Sequence, residues 1–255
     1  MKTIALSSFK GGTGKSSLAV LLGNTFAASG RKVLLIDLDH QKNTTHYHAT
    51  DLEAILDQNI AEAFHRGTLS PNILASHIPN IDFVAGSFGI LKLRAASIRT
   101  LSRLLEPEKE TYDVALIDCP PTLDNIVLNA WQAADFILTP ARLDGFDLEG
   151  VGAFGAALTQ EMPEKHDCWQ IVLNFYRSPR GVSPDSVAIQ LENTFAERYC
   201  NLSKVRIPET VAIWKAVHDG ETISASQRTA KVYEAFLALA SEVAGAPVVP
   251  ERGII

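Results

Sequence analysis

The sequence has little of what marks several classes of protein. Its 255 residues include only three cysteines, Cys119, Cys168 and Cys200, and no two of them have the C-x-x-C spacing. Neither a zinc site nor a disulfide framework is therefore indicated. No apolar run reaches the roughly 18 residues of a transmembrane helix, so no transmembrane segment is expected. Met1 and Lys2 lead directly into an apolar strand, which leaves no room for a signal peptide. These absences predict a reduced, soluble, cytoplasmic protein.

The chain also has fewer positively charged than negatively charged side chains. The chain has 23 lysines and arginines against 29 aspartates and glutamates, a formal net charge of −6. This balance argues against a protein coated in positive charge, although it is compatible with a local basic patch. With 46% hydrophobic and 20% charged residues, the chain is not disordered in character. Because about 150 residues per domain is only a soft guide, we expect a single domain over residues 1–255.

The most informative stretch is residues 7–17, which read SSFKGGTGKSS. An apolar strand pattern precedes it and a buried helix pattern follows, which is the context that a phosphate-binding P-loop requires. The glycines let successive N–H groups point inward at a phosphate, and the helix N-terminus adds its partial positive charge. Lys15 is then expected to reach the β- and γ-phosphates, and the Ser16 hydroxyl to bind Mg²⁺. The alternative, a glycine-rich turn that only connects a strand to a helix, is disfavoured by the Gly-Lys-Ser ending and the flanking elements.

The loop departs from the standard pattern G-x-x-x-x-G-K-[ST], because Phe9 stands where that pattern has its first glycine. Residues 10–16 instead match K-G-G-x-x-K-[ST] in full, and in this the chain resembles the deviant Walker-A ATPases, a family that includes ParA, Soj and MinD. In that family the first lysine reaches across a nucleotide-sandwiched dimer, and the resemblance implies this role for Lys10. A cation placed there stabilises the charge that develops in phosphoryl transfer. The resemblance implies ATP and Mg²⁺ as cofactors, with ATP contacts from Lys10, Gly11, Gly12, Thr13, Gly14, Lys15, Ser16 and Ser17.

Carboxylates follow two further predicted strands, at 32–37 and 112–118. The carboxyl ends of strands are where an α/β sheet places its chemistry. The segments resemble the family's D-x-D-P-Q-x-N and D-x-P-P elements. On that resemblance Asp39 orients the attacking water, Asp37 supports the Mg²⁺ shell, and Asp118 holds Mg²⁺ directly or through water. The alternative for Asp37 and Asp39 is that they only cap a loop.

Five further residues carry weaker signals. His40 stands where the family usually has proline, and this loosens the backbone of the segment. Asn174 resembles the residue that meets the adenine edge, since an amide can both donate and accept there; a capping or turn asparagine is the alternative. Pro208 matches the family's usual proline in the adenine-side loop. His46 and His48 form an H-x-H pair, which on a strand can ligate a metal, but no third ligand is evident and we expect solvated loop histidines.

The order of elements predicts the fold class. Apolar strand patterns alternate with helical ones along the whole chain, which favours an α/β protein with a mostly parallel twisted sheet of about seven or eight strands and helices on both faces, as in P-loop NTPases. The predicted strands include 3–6, 32–37, 80–85, 112–118, 135–140, 170–174 and 205–207, and the predicted helices are 15–28, 51–64, 90–105, 123–133, 147–160, 184–199 and 229–243.

Within the family, the chain resembles a ParA-like partition ATPase most. Such a protein forms an ATP-dependent homodimer, binds DNA without sequence preference and becomes nucleoid-associated. A ParB-like partner then stimulates hydrolysis and release, so that a plasmid, chromosome or other cargo is segregated or positioned. The chain begins at its first strand, so no N-terminal helix-turn-helix domain is expected. DNA contacts should be cations that meet phosphates, and ordinary solvated charges are the alternative for each of the candidates Lys204, Arg206, Lys215, Arg228 and Lys231.

Three other interpretations fit less well. A MinD-like membrane switch needs a basic amphipathic C-terminal helix, whereas residues 246–255 contain two prolines and one arginine, and the preceding helix carries Glu234 and Glu242. A reductase iron protein would need paired cysteines for its cluster, and no such signature is present. An amide-forming synthetase would need a second substrate site, and none is evident in the sequence.

Overall fold

The computed structural model describes residues 1–177, 186–250 and 253–255. An eight-stranded sheet lies at its centre, in agreement with the predicted count of seven or eight strands. The strands β1 to β8, in chain order, are Lys2–Leu6, Val33–Asp37, Ile73–Ala75, Ile81–Val84, Val114–Asp118, Phe136–Ala141, Trp169–Tyr176 and Leu202–Pro208.

The strand order brings three distant chain segments together. The order is β3-β4-β2-β5-β1-β6-β7-β8, and every neighbouring pair is parallel except β3 with β4. Asp37 at the end of β2 lies opposite Asp118 at the end of β5, and Leu6 at the end of β1 also lies opposite Asp118. The segments that follow β1, β2 and β5 therefore converge at one edge of the sheet, which is where α/β proteins place their sites.

Helices cover both faces of the sheet, as predicted. The helices α1 to α10 are Lys15–Ala28, Asn43–His48, Ala54–Asp57, Ile60–Arg66, Thr100–Leu105, Asn125–Ala133, Gly145–Glu161, Val187–Arg198, Val211–Asp219 and Ala230–Ala244. Short 3₁₀ stretches occupy Ser70–Asn72, Phe88–Leu93, Glu106–Glu110 and Pro163–Cys168. Within the described ranges, no helix combines the length and the apolarity needed to cross a bilayer.

Two apolar clusters, one on each face, form the core. Successive strand residues point to opposite faces of the sheet, so on β1 Ala5 joins one cluster while Ile4 and Leu6 join the other. The first cluster includes residues of α5, α6 and α7, and the second includes residues of α1 and α10. Every residue of β2 and β5 is buried. Burial on both faces explains why these strands read as continuous apolar runs in the sequence.

The predicted helix 15–28 is confirmed with the same bounds, but the predicted helix 51–64 is wrong as a single helix. Asn59 ends α3 and begins α4, because its Oδ1 accepts hydrogen bonds from the N–H groups of Ala61 and Glu62. Its Nδ2 donates to the carbonyl of Ile55 at 3.1 Å. An asparagine that satisfies the free groups of two helix ends makes a break more favourable than a continuous helix.

The predicted helix 90–105 is also wrong as a continuous element. The chain forms the 3₁₀ stretch Phe88–Leu93, then a turn, and only then α5. Two asparagines of α6 hold this turn: Asn125 donates to the carbonyl of Ala96 at 3.1 Å, and Asn129 accepts from the N–H of Leu101 at 2.9 Å. Tertiary hydrogen bonds therefore replace helical ones in this segment.

Two short elements were missed, namely α2 directly after β2 and the antiparallel edge strand β3. Each has at most six residues, too few for a periodic pattern to stand out. The predicted helix 184–199 corresponds to α8, and its predicted start at 184–185 lies outside the described residues. The last predicted strand, 205–207, is longer in the structure, where β8 spans Leu202–Pro208.

Candidate nucleotide-binding site

The loop between β1 and α1 has the backbone conformation of a phosphate cradle. Gly12 and Gly14 have φ values of 74° and 91°, in the left-handed region that side chains disfavour. A Cβ on Gly14 would lie 2.2 Å from Nδ2 of Asn174, so the position also lacks space for a side chain. The loop ends at the N-terminus of α1, where free N–H groups favour an anion. The local geometry is that of a P-loop.

Lys15 lies inside this loop. Its side chain is buried, and Nζ donates to the carbonyl of Lys10 at 3.1 Å and to Oγ of Ser8 at 3.3 Å. Ser8 Oγ is also 3.0 Å from Oγ1 of Thr13, which ties the two ends of the loop together. Burial lowers the pKa of Lys15, and the nearby Asp118 carboxylate opposes that shift. The ammonium therefore lies where a phosphate could replace its weak neutral partners.

Asp118 has one carboxylate oxygen occupied and one free. Its Oδ2 accepts a hydrogen bond from Oγ1 of Thr44 at 2.7 Å, whereas Oδ1 is buried without a partner among the described residues. Burial raises the pKa of Asp118, and the nearby Ser16 hydroxyl opposes that shift. A buried unpaired oxygen is costly unless a cation or donor reaches it. Together with the Ser16 hydroxyl, this oxygen fits Mg²⁺, which usually binds one or two protein ligands besides phosphates and water.

Asp37 holds residues 39–45, called here the switch segment. Its Oδ2 accepts from the N–H and Oγ1 of Thr45, at 2.9 and 2.7 Å, and its Oδ1 accepts from the N–H of Asp39 at 3.0 Å. Thr45 Oγ1 in turn accepts from the N–H of Gly86 at 2.7 Å. Burial, and next the Asp118 charge, raise the pKa of Asp37. The carboxylate thus shapes the segment beside the P-loop, and its predicted support of the Mg²⁺ shell stays a prediction.

Thr44 and Thr45 are site residues that the sequence analysis missed. Both hydroxyls bind the carboxylates that the motifs had singled out. The available signal was two adjacent hydroxyl residues directly after the D-x-D element. Their helix, α2, was not predicted, so nothing indicated that both side chains turn back toward the sheet.

Asp39 lies at the front of the same segment. It is buried and lines the cleft next to the P-loop. Its Oδ1 accepts from the N–H of Gln41 at 3.0 Å and lies 3.3 Å from Nδ1 of His40. The His40 ring also packs at a tilt against Phe88, with ring centroids 5.9 Å apart. The histidine that replaces the family's proline therefore contacts the carboxylate predicted to orient water.

Lys10 is held within its own chain. Its Nζ forms ion pairs with Asp147 and with Asp144, the latter at 3.5 Å. The hydrogen bond to Asp147 is the largest cause of a raised Lys10 pKa. Asp147 is buried, whereas Lys10 remains partly exposed at the rim of the loop. Its predicted reach into a second protomer stays a prediction.

A cleft of about 840 Å³ opens in front of the P-loop. Its wall on the far side belongs to α9, where the rings of Trp214 and His218 stack with centroids 4.8 Å apart. Phe175 lines the cleft too, and its φ of 53° is unusual for an aromatic residue and typical of functional positions. Residues that line the cleft, apart from these, include Gly11, Gly12, Gly14, Lys15, Ser16, Ser17, Asp39 and His40.

The two predicted adenine-side residues lie on neighbouring strands. Asn174 of β7 is buried, and its Nδ2 donates to the carbonyl of Thr13 at 2.8 Å. This donor therefore braces the P-loop in the structure, and the amide oxygen and the second N–H of Nδ2 are left for the predicted adenine contact. Pro208 ends β8 opposite Tyr176. Its contact with adenine also stays a prediction.

The prediction that His46 and His48 are solvated loop residues is wrong for His48. Both residues lie on α2, and His48 is fully buried with Nδ1 2.8 Å from Oγ of Ser76. His46 is exposed and lines the cleft. Side chains two positions apart on a helix do not share a face. Among the described residues, no group of three or more histidine, cysteine or carboxylate side chains is arranged to hold a metal.

The cations proposed for DNA contact are not equivalent. Arg206 is largely buried, because its Nε pairs with Glu192 at 3.0 Å and its guanidinium lies over the ring of Tyr176. The structure thus does not place Arg206 among the exposed cations that phosphates could reach. Exposed side chains are found at Lys204, Lys215, Arg228 and Lys231. Of these, Lys215 lies 3.8 Å from Glu221.

The fold and the loop geometry together define a protein of the P-loop NTPase fold. Residues 1–166 match the model of a family described as an AAA domain. The sporulation initiation inhibitor protein Soj of Bacillus subtilis is 28% identical over 254 residues, which cover 95% of this chain and 98% of Soj. The chain belongs to the AAA-domain family and to the ParA family, since the virulence plasmid ParA family protein pGP5-D of Chlamydia psittaci is 30% identical over 223 residues, which cover 83% of each chain.

Solved structures show the same fold. A protein from Borrelia burgdorferi B31, described as a plasmid partition protein and bound to AMPPNP, superposes with a TM-score of 0.77 at 20% identity, covering 94% of this chain and 99% of that one. Cobyrinic acid a,c-diamide synthase of Mycobacterium smegmatis, with bound ADP and magnesium, superposes with a TM-score of 0.75 at 19% identity and covers 98% of both chains. At these identities the likeness shows the fold alone, and the fold does not separate a partition protein from a synthetase.

Proposed function

We propose that the protein is a ParA-like partition ATPase. In this proposal ATP drives formation of a homodimer, the dimer binds DNA without sequence preference, and a ParB-like partner stimulates hydrolysis and release. The observation that carries it is that Lys15, Ser16 and Asp39 line one cleft, with the buried Asp118 carboxylate next to Ser16 and Lys15 and a second lysine, Lys10, at the rim. A protein that only bound nucleotide would not require the buried Asp39 beside its phosphate loop.

The phosphate side of the proposal assigns each residue one task. The N–H groups of the loop and Lys15 bind the β- and γ-phosphates. Ser16 and Asp118 would hold Mg²⁺, whose charge would neutralise the phosphate oxygens. Thr44 keeps the Asp118 carboxylate in place by its hydrogen bond of 2.7 Å. These residues bind and orient ATP.

Hydrolysis is assigned to the switch segment. Asp39 orients a water for attack on the γ-phosphorus, and the hydrogen bonds of Asp37 to Thr45 and to the N–H of Asp39 hold the segment in position. Lys10 must leave Asp147 to act in a second protomer. Turnover of ATP without the partner protein is therefore expected to be slow, since Lys10 is held in an ion pair with Asp147.

The DNA-binding step is supported by exposed cations on the C-terminal third of the chain. Lys204, Lys215, Arg228 and Lys231 have exposed side chains on an otherwise acidic protein. Contacts of this kind bind phosphates irrespective of sequence. The similarity over 95% of this chain to the chromosome-partitioning ATPase Soj of Thermus thermophilus supports a role in partition.

The position of residues 253–255 favours DNA over a membrane as the binding partner of the ATP-bound dimer. Ile255 is buried, and its N–H donates to the carbonyl of Ile223 at 2.8 Å. Ser224 forms a β-bridge with Ile254. A tail folded back on the body in this way does not present an apolar helix face to lipid. The MinD-like switch is therefore kept only as an outcome of the experiment.

The test is binding to a random-sequence DNA duplex at modest salt. It compares the wild type with ADP, the wild type with ATP, and Asp39→Ala with ATP. Binding should appear only with ATP and should strengthen in Asp39→Ala, because the ATP-bound dimer is no longer consumed. Each phosphate contact should also steepen the dependence of log affinity on log salt by about 0.9 for duplex DNA.

Two further variants separate the steps, with the same duplex and ATP. Lys15→Ala should lose nucleotide binding, whereas Lys10→Ala should bind ATP without forming the dimer. Unchanged turnover in Asp39→Ala would show that another residue orients the water. If DNA is ignored in every nucleotide state, anionic liposomes are the next surface to test, and retention on them would favour the membrane switch.

A further inference from the structure

Arg142 lies at the edge of the P-loop and belongs to none of the motifs. It is the residue after the last of β6, and its Nη2 donates to the carbonyl of Gly12 at 2.8 Å. The guanidinium carbon lies 4.6 Å from the ring centroid of Phe175, which lines the nucleotide cleft. Its side chain is exposed. An arginine is thus positioned on the loop that binds phosphate.

One carboxylate anchors both Arg142 and Lys10. Oδ2 of Asp147 accepts a hydrogen bond from the backbone N–H of Arg142 at 2.5 Å, and the Lys10 ammonium pairs with the same carboxyl group. Asp147 is buried at the start of α7, where Asp144 caps the helix by accepting from its N–H at 2.7 Å. Lys10 and Arg142 therefore lie at the same rim of the loop, and the buried Asp147 carboxylate holds both residues.

The charge of Arg142 is not balanced by a close carboxylate. Among the ion pairs between described residues, none involves Arg142, and its recorded contacts are a main-chain carbonyl and an aromatic face. Glu209 is near enough for Arg142 to lower its pKa, but Glu209 pairs with Arg177. A guanidinium presents five N–H donors and binds phosphate in a bidentate manner. Most of these donors are available to an incoming phosphate.

The placement of Arg142 indicates whether its guanidinium would contact the nucleotide of its own protomer or that of the second protomer. In a phosphate-binding loop the N–H groups face the bound phosphate, and the carbonyl oxygens face away. Arg142 is not among the described residues that line the cleft in front of the P-loop; it lines a neighbouring depression together with Asp144, which pairs with Lys10. It lies on the side where Lys10 is exposed, which in the proposed dimer faces the second protomer.

We propose that Arg142 is a further catalytic residue, whose guanidinium binds the phosphates of the nucleotide held by the second protomer, beside Lys10. This inference rests on the proposed ATPase function. In the step concerned, a water oxygen bonds to the γ-phosphorus while the bond to the β–γ bridging oxygen breaks. ADP leaves with that electron pair, and the water proton passes to solvent with the inorganic phosphate. Arg142 stabilises the negative charge that grows on the departing oxygen.

The first measurement compares full-length wild type, Arg142→Ala and Arg142→Lys. Turnover of ATP by Arg142→Ala should fall at least about tenfold, since removal of one such donor typically costs 10²- to 10³-fold. Affinity for a fluorescent ATP analogue should change less than threefold, because Arg142 is not among the described residues that line the cleft of its own protomer. Arg142→Lys should recover only part of the rate, because lysine cannot bind in a bidentate manner. Arg103→Ala, at an exposed arginine of α5, is the matched control.

The decisive measurement mixes Arg142→Ala with Asp39→Ala before ATP is added. In a mixed dimer, the nucleotide bound by the Arg142→Ala protomer has Asp39 from that protomer. It also has an intact Arg142 from the Asp39→Ala protomer, so this site is complete. Each variant alone is slow, but an equal mixture should regain about a quarter of wild-type turnover, since half of randomly paired dimers are mixed and each has one complete site. If Arg142 only braced Gly12 of its own loop, mixing would restore nothing.

The outcomes distinguish a failure of the proposed role of Arg142 from a failure of the proposed ATPase function. If light scattering shows no ATP-dependent dimer of the wild type, the proposed function fails and the inference fails with it. If the wild type dimerises but Arg142→Ala turns over normally, or is slow without recovery on mixing, the inference alone is overturned. A thermal melt with each variant checks that folding is intact.

Discussion

At the scale of single residues, His48 illustrates how burial changes the chemistry of a side chain. It is fully buried, with Nδ1 bonded to Oγ of Ser76 and Nε2 without a partner among the described residues. Burial, and next the charge of His77, lower the pKa of His48 to about 3. The unfolded chain would protonate near pH 6.5. The folded state therefore requires the His48 imidazole to be neutral.

The sign of the pH effect follows from that difference. Between about pH 6.5 and about pH 3, the unfolded state binds one proton more than the folded state at this position. His48 therefore favours folding above pH 6.5, and its contribution is lost as the pH falls through this window, by about 1.4 kcal/mol per pH unit. Chemical denaturation between pH 6.5 and 4.5 should show a shallower decline of the unfolding free energy in His48→Gln than in the wild type.

The exposed His46 is the control for this measurement, as His46→Gln makes the same chemical change on the same helix. Its pH dependence should match that of the wild type. Equal slopes for His48→Gln and the wild type would mean that His48 is protonated in the folded protein. In that case the burial of the ring in solution differs from that in the structure.

At the scale of elements, α7 contains glycines with different roles. A Cβ on Gly155 would lie 2.7 Å from the Trp169 ring, so this glycine allows α7 to approach β7 closely. A Cβ on Gly150 would meet nothing within 4 Å. Glycine inside a helix costs roughly 0.5–1 kcal/mol relative to alanine. Gly155 is therefore required for packing, whereas the contacts give no such reason for Gly150.

The same substitution at these two positions should have opposite effects on stability. Gly155→Ala should lower the free energy of unfolding by about 1–3 kcal/mol, because a buried tryptophan must shift. Gly150→Ala should raise it by roughly 0.5–1 kcal/mol through helix propensity. Urea denaturation of both variants under one buffer condition measures the difference. Destabilisation of similar size at both positions would contradict the packing explanation.

At the scale of the whole molecule, the internal ion pair of Lys10 competes with the proposed dimer. Lys10 pairs with Asp147 at the rim of the site, and in a dimer it would have to exchange this partner for the phosphates of the second protomer. A buried carboxylate that loses its cation is unfavourable. The ion pair therefore favours the single protomer, and ATP must compensate for its loss.

Asp147→Asn should shift that balance toward the dimer. Asparagine keeps the size of the side chain and can still accept from the N–H of Arg142, but it no longer holds the ammonium by charge. In saturating ATP, dimerisation should occur at a protein concentration lower by about tenfold, which corresponds to 1.4 kcal/mol. Sedimentation velocity over a concentration series measures this midpoint.

Asp167→Asn makes the same charge change at an exposed position after α7 and should leave the midpoint unaltered. A midpoint for Asp147→Asn equal to or higher than that of the wild type would mean that Lys10 is not restrained by this pair. Comparison in ADP, in which no dimer is expected, separates an effect on dimerisation from general aggregation.

Much of the fold and part of the site were predictable from the sequence for local reasons. The bounds of α1 follow from the glycine-rich turn before it and the glycine after it, and β2 and β5 follow from continuous apolar runs ended by carboxylates. The breaks near Asn59 and after Phe88–Leu93 were not predictable in this way. Asn59 caps both helix ends through local hydrogen bonds that an apolar periodicity does not record, and after Phe88–Leu93 the hydrogen bond comes from Asn125 of α6.

The sequence by itself determined the P-loop, the carboxylates at the strand ends and the parallel α/β architecture, because each depends on residues that are neighbours in the chain. Only the tertiary structure decided that Thr44 binds Asp118, 74 residues away, that Arg142 binds Gly12, 130 residues away, and that Asn174 braces Thr13, 161 residues away. These contacts arise because the strand order places β2, β5, β1, β6 and β7 side by side. Local patterns specify each strand, but the lateral order of strands is set by packing of the whole chain.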